Sequence, residues 1–212
     1  VISIIFFWVY RPYNMLGLVG IILAFWIMSN ILLTLVPQLI LKNKKFIQDN
    51  IPKYSNGMII AHLGIALLIL GITGSSIWQK EKIIRMKVND KTEIHNYNIV
   101  FKEINKIAGP NYLALQGNFW VYNKKKNIIA ELKPENRFYP VANNSTTEAS
   151  IHTNLLRDLY IVLGEGDINK GWVVRIYYNP LVIWIWIGAF MIFLGGLFSI
   201  KSNLKFIKRL TL

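Results

Sequence analysis

Three apolar blocks constrain this chain before anything else: Met15 to Leu41, Gly57 to Trp78 and Pro180 to Ile200. Each is long enough to cross the hydrocarbon core of a bilayer as a helix, which takes roughly 20 residues. Backbone within lipid has no water to bond to, so such a block must satisfy its N–H and C=O groups internally, as a helix does. A fourth run, Val1 to Tyr10, is about half the required length. It has no basic n-region and no small-residue cleavage site, so it does not read as a secretory signal peptide. It is expected to be the tail of a helix whose beginning is missing, or an interfacial segment. On this reading the chain is a fragment or one piece of a divided protein.

The formal net charge of +13 raises the question of nucleic acid, and the distribution of the charge answers it. Lys42, Lys44, Lys45 and Lys53 fall in the short loop between the first two blocks, and Lys201, Lys205, Lys208 and Arg209 follow the last. Short basic flanks of this kind mark the cytoplasmic side of a membrane, or its matrix equivalent. The rest of the excess is mixed with acids between Gln79 and Asn179 and carries no RNA- or DNA-binding motif, so the expected partner is the lipid bilayer and not nucleic acid. With no cysteine, the chain offers neither disulfide, thiol relay nor thiolate metal site.

Placing both basic flanks inside sets the expected topology. The first full span runs inward, the second outward, and the third returns inward after an outer segment of about 100 residues. Trp78, Trp184 and Trp186 suit the outer aromatic belt. Within the outer segment, 83–88, 97–101, 112–122, 128–132, 159–163 and 172–178 are short and rich in β-branched or aromatic residues. Gly109-Pro110-Asn111, Asn123 to Asn127, Pro134, Asn143-Asn144 and Gly164 to Gly171 punctuate them. The expected fold is an α-helical membrane protein with an inserted all-β extramembrane domain, three transmembrane helices and a partial N-terminal one. The expected organisation is 1–78 as transmembrane helices, 79–179 as a periplasmic or intermembrane-space antiparallel β domain, and 180–212 as the final span with a basic tail.

His62 is the one ionisable side chain in the second block. Ionisable groups within a membrane are costly and concentrate at functional sites. Neutral imidazole is also a common axial ligand of heme iron. The residues alone leave two readings open, a ligand or a histidine bonded to a neighbouring helix or a wet crevice. No other span contains a histidine; Met15, Met28, Met58 and Met191 are the alternative second ligands, and helical methionines are mostly core filler. Gly64, Gly71 and Ser75 lie near one face of the same helix, with Ala61 close by, and Gly188, Gly195 and Gly196 recur in the last span. Such small residues let helices approach closely or clear room for a flat macrocycle, and packing is the reading preferred here. His95 and His152 fall in polar stretches and read as solvated. Glu131, Glu135, Glu148, Asp158 and Glu165 have no spacing of a carboxylate pair or metal site, and no nucleophile elbow, P-loop or zinc signature is present.

The segments GMIIAHLGIALLILGITGSS (57–76), GPNYLALQGNFWVY (109–122), LKPENRFYP (132–140), TEASIHTNLLRDLYIVLGE (147–165) and WVVRIYYNPLVIWIWIGAFMIFLGGLFS (172–199) together resemble the C-terminal part of CcmF. That family is the large membrane subunit of the cytochrome c heme lyase. The resemblance implies that His62 is one of two transmembrane ligands of a heme b. It implies covalent heme attachment, in which the thiols of an apocytochrome c CxxCH motif add across heme vinyl groups. It implies as partners the heme chaperone CcmE, CcmH-type subunits and the apocytochrome, in the bacterial or mitochondrial inner membrane. The tryptophan-rich WWD segment of the family, its flanking histidines and the second transmembrane histidine are absent from these residues. A missing N-terminal half is expected to supply them, and the chain by itself is not expected to be an active enzyme. Tyr112, Trp120, Arg137 and Tyr139 are the candidates for a partner or active face on the β domain. The competing reading is a membrane-anchored assembly scaffold or transporter accessory subunit with no cofactor.

Overall fold

The computed structural model describes residues 15–40 and 56–210, with side chains described to residue 36 in the first helix and to residue 200 in the last. The run Val1 to Tyr10 and the lysine loop therefore lie outside the described residues. Among the described residues, three helices are long and apolar enough to cross a membrane: α1 (Met15–Ile40), α2 (Asn56–Ile77) and α3 (Val182–Leu210). The chain divides into two compact units, the β unit Trp78–Pro180 and a unit made by the helices.

Within the helical unit, α2 packs against both neighbours through small residues. Gly57, Gly64 and Gly71 recur at seven-residue spacing, close to two helical turns, and so form one stripe. That stripe lies on the backbone of α3. A Cβ on Gly64 stands 2.7 Å from the Gly188 carbonyl oxygen, and a Cβ on Gly188 stands 2.6 Å from that of Gly64. Gly57 and Gly195 face one another in the same way, each with its Cβ position 2.6 Å from the other's carbonyl oxygen. The contact is reciprocal and backbone to backbone, which only glycine permits. Gly196 meets nothing within 4 Å and is no part of the seam. Ser75 is half-buried, and its hydroxyl donates to the Ile72 carbonyl at 3.1 Å. On the side of α2 toward α1, Gly17 abuts Ile77 and Gly20 abuts Thr73.

The β unit is a sandwich of two antiparallel sheets. One has the order β1 (Lys80–Met86), β10 (Gly171–Pro180), β9 (Arg157–Asp167), β8 (Ser150–Thr153). The other has the order β2 (Lys91–Ile94), β3 (Tyr97–Ala108), β4 (Leu113–Tyr122), β6 (Glu135–Tyr139), β7 (Asn144–Glu148), with β5 (Ile128–Leu132) also paired to β4. Alternation along β9 and β10 sends Leu159, Ile161, Leu163, Val174 and Ile176 into the core. They meet Phe101 and Phe119, stacked with centroids 4.4 Å apart, and Trp172 stands edge-on to Phe101 at 5.8 Å. Gly117 lies under these rings, where a Cβ is 2.7 Å from Phe119.

Four short strands, β2, β6, β7 and β8, join the six read from the sequence. Their sequences KTEI, ENRFY, NSTTE and SIHT are polar, because each buries little beyond its backbone hydrogen bonds. β3 continues beyond Phe101 through a bulge before Glu103 that breaks the alternation. Likewise β9 runs through Gly164 to Asp167, leaving only a tight turn at 168–170.

Arg157, 2% exposed, ties the two sheets together. Its Nε donates to the Tyr97 hydroxyl at 3.0 Å, and its Nη1 donates to Nδ1 of His152 at 2.7 Å and to the His152 carbonyl at 2.8 Å. The guanidinium also lies 4.6 Å from the Tyr97 ring centroid. A guanidinium only donates, so His152 must accept through a deprotonated Nδ1. His152 is thus a half-buried acceptor and not the solvated residue expected from its polar surroundings. Burial first, and then the Arg157 charge, holds its pKa below the ordinary 6.5.

Two predictions follow from this packing. Gly64→Val should destabilise the helical unit by about 1–3 kcal/mol through overpacking against backbone, while Gly196→Val should leave it unchanged; thermal unfolding in detergent compares them. Because the folded-state pKa of His152 is depressed, its contribution to stability is full above the unfolded value of about 6.5 and is lost as pH falls through the folded value. Denaturation followed by tryptophan fluorescence should show the β unit weakening below about pH 6.5, and His152→Gln should flatten that dependence.

Candidate functional site

His62 lies on the face of α2 away from the glycine seam, since two residues separate it from Gly64 and that is roughly 160° around a helix. It opens onto a groove of about 280 Å³ between α1 and α2. Trp26, Ile27 and Ile31 of α1 and Met58 and Ile59 of α2 give the groove an apolar lining, and Asn30, Thr34 and His62 supply its polar groups. The residue types are those of a small-molecule site: an apolar wall with few oriented polar atoms.

The hydrogen bonding of the imidazole determines what it can do. Nδ1 lies 2.8 Å from the Met58 carbonyl oxygen, one turn back along α2. A carbonyl only accepts, so Nδ1 carries the proton, and the lone pair of this tautomer is on Nε2. Among the described residues nothing bonds to Nε2. A ring oriented through one nitrogen, with the other open toward an apolar groove, is the arrangement of a metal-ligating histidine.

Heme is the group that the family resemblance implies, and these residues fit one face of it. Trp26 is 63% exposed and, with the isoleucines, offers a flat apolar wall beside the Nε2 position. The volume is at the small end of ligand pockets, roughly 300–1,000 Å³, so the described residues enclose only part of a macrocycle. Met58 shares a helix face with His62 and cannot reach the opposite side of a ring that His62 ligates. Met191 meets Gly64 at the α2–α3 seam, where a Cβ on the glycine is 2.9 Å from its own Cβ, and so is a packing residue.

Asn30 and Thr34 were not singled out in the sequence. Asn30 Nδ2 donates to the Trp26 carbonyl at 2.8 Å, and the Thr34 hydroxyl donates to the Asn30 carbonyl at 2.8 Å. One amide N–H of Asn30 and the Thr34 hydroxyl are thus held on their own helix, and the Asn30 carboxamide oxygen is an acceptor on a groove-lining residue. An asparagine midway through an apolar span, with a threonine four residues on, is the missed signal that marks them.

On the β unit, three of the four aromatic and basic candidates come together. The Arg137 guanidinium lies 4.5 Å from the Tyr112 ring centroid, and Tyr112 and Tyr139 are 5.6 Å apart. Arg137 Nε donates to Glu135 at 2.8 Å, and this bond first of all holds the glutamate below, and the guanidinium above, its ordinary pKa. Trp120 lies apart, beneath Lys102 at 4.6 Å. Two of the carboxylates are answered by donors, Glu131 by Asn118 and Lys133 and Glu135 by Gln116 and Arg137, while Asp158 keeps one buried oxygen without a partner. Among the described residues no three His, Cys, Asp or Glu side chains converge as a metal site.

Known proteins agree with this architecture. A family profile for the CcmF C-terminal beta-sandwich matches residues 77–180. Cytochrome c-type biogenesis protein CcmF of Escherichia coli is 41% identical over 141 residues, which are 66% of this chain and 22% of that protein. Cytochrome c-type biogenesis protein ccl1 of Rhodobacter capsulatus is 33% identical over 153 residues, 72% of this chain and 23% of its own length. The chain thus spans less than a quarter of these relatives. A solved structure, Cytochrome c Heme Lyase CcmF, shares the fold over 90% of this chain and 31% of its own, with a TM-score of 0.66 at 19% identity. By the β-sandwich at residues 77–180 and the apolar helices on either side of it, the chain belongs to the CcmF family as its C-terminal part.

Proposed function

We propose that the chain serves cytochrome c maturation as the C-terminal part of a heme lyase, with His62 as one of two axial ligands of a heme b held in the membrane. The observation that carries the reading is the Nδ1–H bond to the Met58 carbonyl, which leaves Nε2 open on an apolar groove. The names of the relatives, cytochrome c-type biogenesis proteins and a cytochrome c heme lyase, support the same assignment.

In this reading heme b supplies one-electron chemistry at the iron. The chain's own residues hold and shield it. The Met58 carbonyl fixes the ring tautomer and raises the basicity of Nε2. Trp26, Ile27, Ile31 and Ile59 keep water from that side of the macrocycle. As the family resemblance implies, bond formation to the apocytochrome would take place on a partner segment bearing the WWD motif and the second ligand. CcmE would bring the heme, and CcmH-type subunits the apocytochrome. The location is the bacterial or mitochondrial inner membrane, with the β domain outside. Trp120 and the Arg137–Tyr112–Tyr139 cluster would face a partner there.

Purified together with its partner segment, the protein should show a b-type Soret band, and His62→Ala should remove most of it. Unchanged absorption in a correctly folded His62→Ala protein overturns the ligand assignment and leaves the scaffold reading.

A further inference from the structure

The strand register places every connection to the membrane spans at one end of the sandwich. Lys80, the first residue of β1, pairs with Tyr178, and Arg157, the first of β9, pairs with Pro180, the last of β10. Ile77 ends α2 just before Lys80, and Val182 begins α3 just after Pro180.

Two further turns lie at the same end, because Asn98 pairs with Tyr122. The β2–β3 turn brings His95 to 4.4 Å from Tyr178, and the β4–β5 turn carries Lys124, Lys125 and Lys126, all exposed. The His95 pKa is held down by partial burial and then by the charges of Lys80 and Lys124.

Beside them the β8–β9 turn carries Leu155 and Leu156, 63% and 70% exposed. The turn is built to hold them outward. Asn154 Oδ1 accepts the N–H groups of Leu156 and Arg157, both at 2.8 Å, and the next side chain is the buried Arg157. Two adjacent leucines on a fixed turn, among exposed lysines and tyrosines, have the composition of a surface that binds an anionic bilayer.

We infer that this end of the sandwich is a lipid-binding rim. Leu155 and Leu156 enter the boundary between headgroups and acyl chains, and Lys80 and Lys124 to Lys126 meet anionic headgroups. The inference is independent of heme.

The opposite end supplies an internal control. Ile168, 82% exposed, sits in the β9–β10 turn at the far end of β9, an 11-residue strand and so about 35 Å away. Since the chain has no cysteine, Leu156→Cys and Ile168→Cys each accept a single environment-sensitive fluorophore. The full chain is reconstituted in phosphatidylethanolamine–phosphatidylglycerol vesicles containing lipids spin-labelled near the headgroup. The position-156 label should emit to the blue and be quenched by those lipids, while the position-168 label stays water-like. Replacing Lys124, Lys125 and Lys126 with Gln should reduce the quenching at 156 at least about twofold in anionic vesicles and leave it unaltered in zwitterionic ones. A water-like label at 156 overturns the inference. So does a blue-shifted label that the lipids do not quench, since that identifies a protein cover. Quenching at 156 that is insensitive to the lysines overturns the headgroup contact.

Discussion

The backbone contact between Gly64 and Gly188 governs the helical unit. In lipid, one apolar helix gains nothing from hydrophobic burial against another, so association rests on close van der Waals approach. Glycines at 57, 64 and 71 on α2, with 188 and 195 on α3, permit that approach where any larger residue meets a carbonyl oxygen. The seam fixes the rotation of α2, and the rotation decides which face carries His62. The imidazole is thereby directed to the groove shared with α1, while Gly17 and Gly20 let α1 come close.

The membrane imposes the chemistry of the groove as well. Each polar side chain there donates one hydrogen bond to its own helix: Nδ1 of His62 to the Met58 carbonyl, the Asn30 amide to Trp26, the Thr34 hydroxyl to Asn30. Those bonds leave Nε2 of His62 with its lone pair uncommitted among the described residues. A site that presents a lone pair from an otherwise satisfied side chain suits a soft electrophile such as a metal centre better than an anion.

The helices and His62 were legible in the sequence for one reason: lipid penalises exceptions, so long apolar runs and a single imidazole within them are conspicuous. The sheet was legible only where strands bury side chains, as in β4, β9 and β10. NSTTE in β7 and KTEI in β2 are held by backbone pairing with the adjacent strand of a hairpin, β6 and β3 respectively, and nothing in their own composition announces it. His152 illustrates the same limit. Its surroundings in sequence are polar, but its role is set by Arg157, whose guanidinium is buried by strands from both sheets. The two helical donors beside His62 were within reach, since an asparagine in an apolar span carries the same kind of cost as a histidine.

The pairing of the first strand with the last bears on how the molecule can assemble. Bringing α2 and α3 together across an unstructured insertion of about 100 residues carries a length-dependent closure entropy of roughly 4 kcal/mol, taken as (3/2)RT ln n. Once β1 has zipped to β10, Lys80 and Tyr178 stand about 5 Å apart, and that term has already been met by the sandwich core. The insertion then acts as a clasp: the folded domain delivers the end of one helix to the start of the next as a short tether would. Because β10 is the last strand of the insertion to be made, synthesis leaves α2 without its α3 partner until the whole insertion has emerged, and an unclasped α2 is exposed to pairing with the wrong helix.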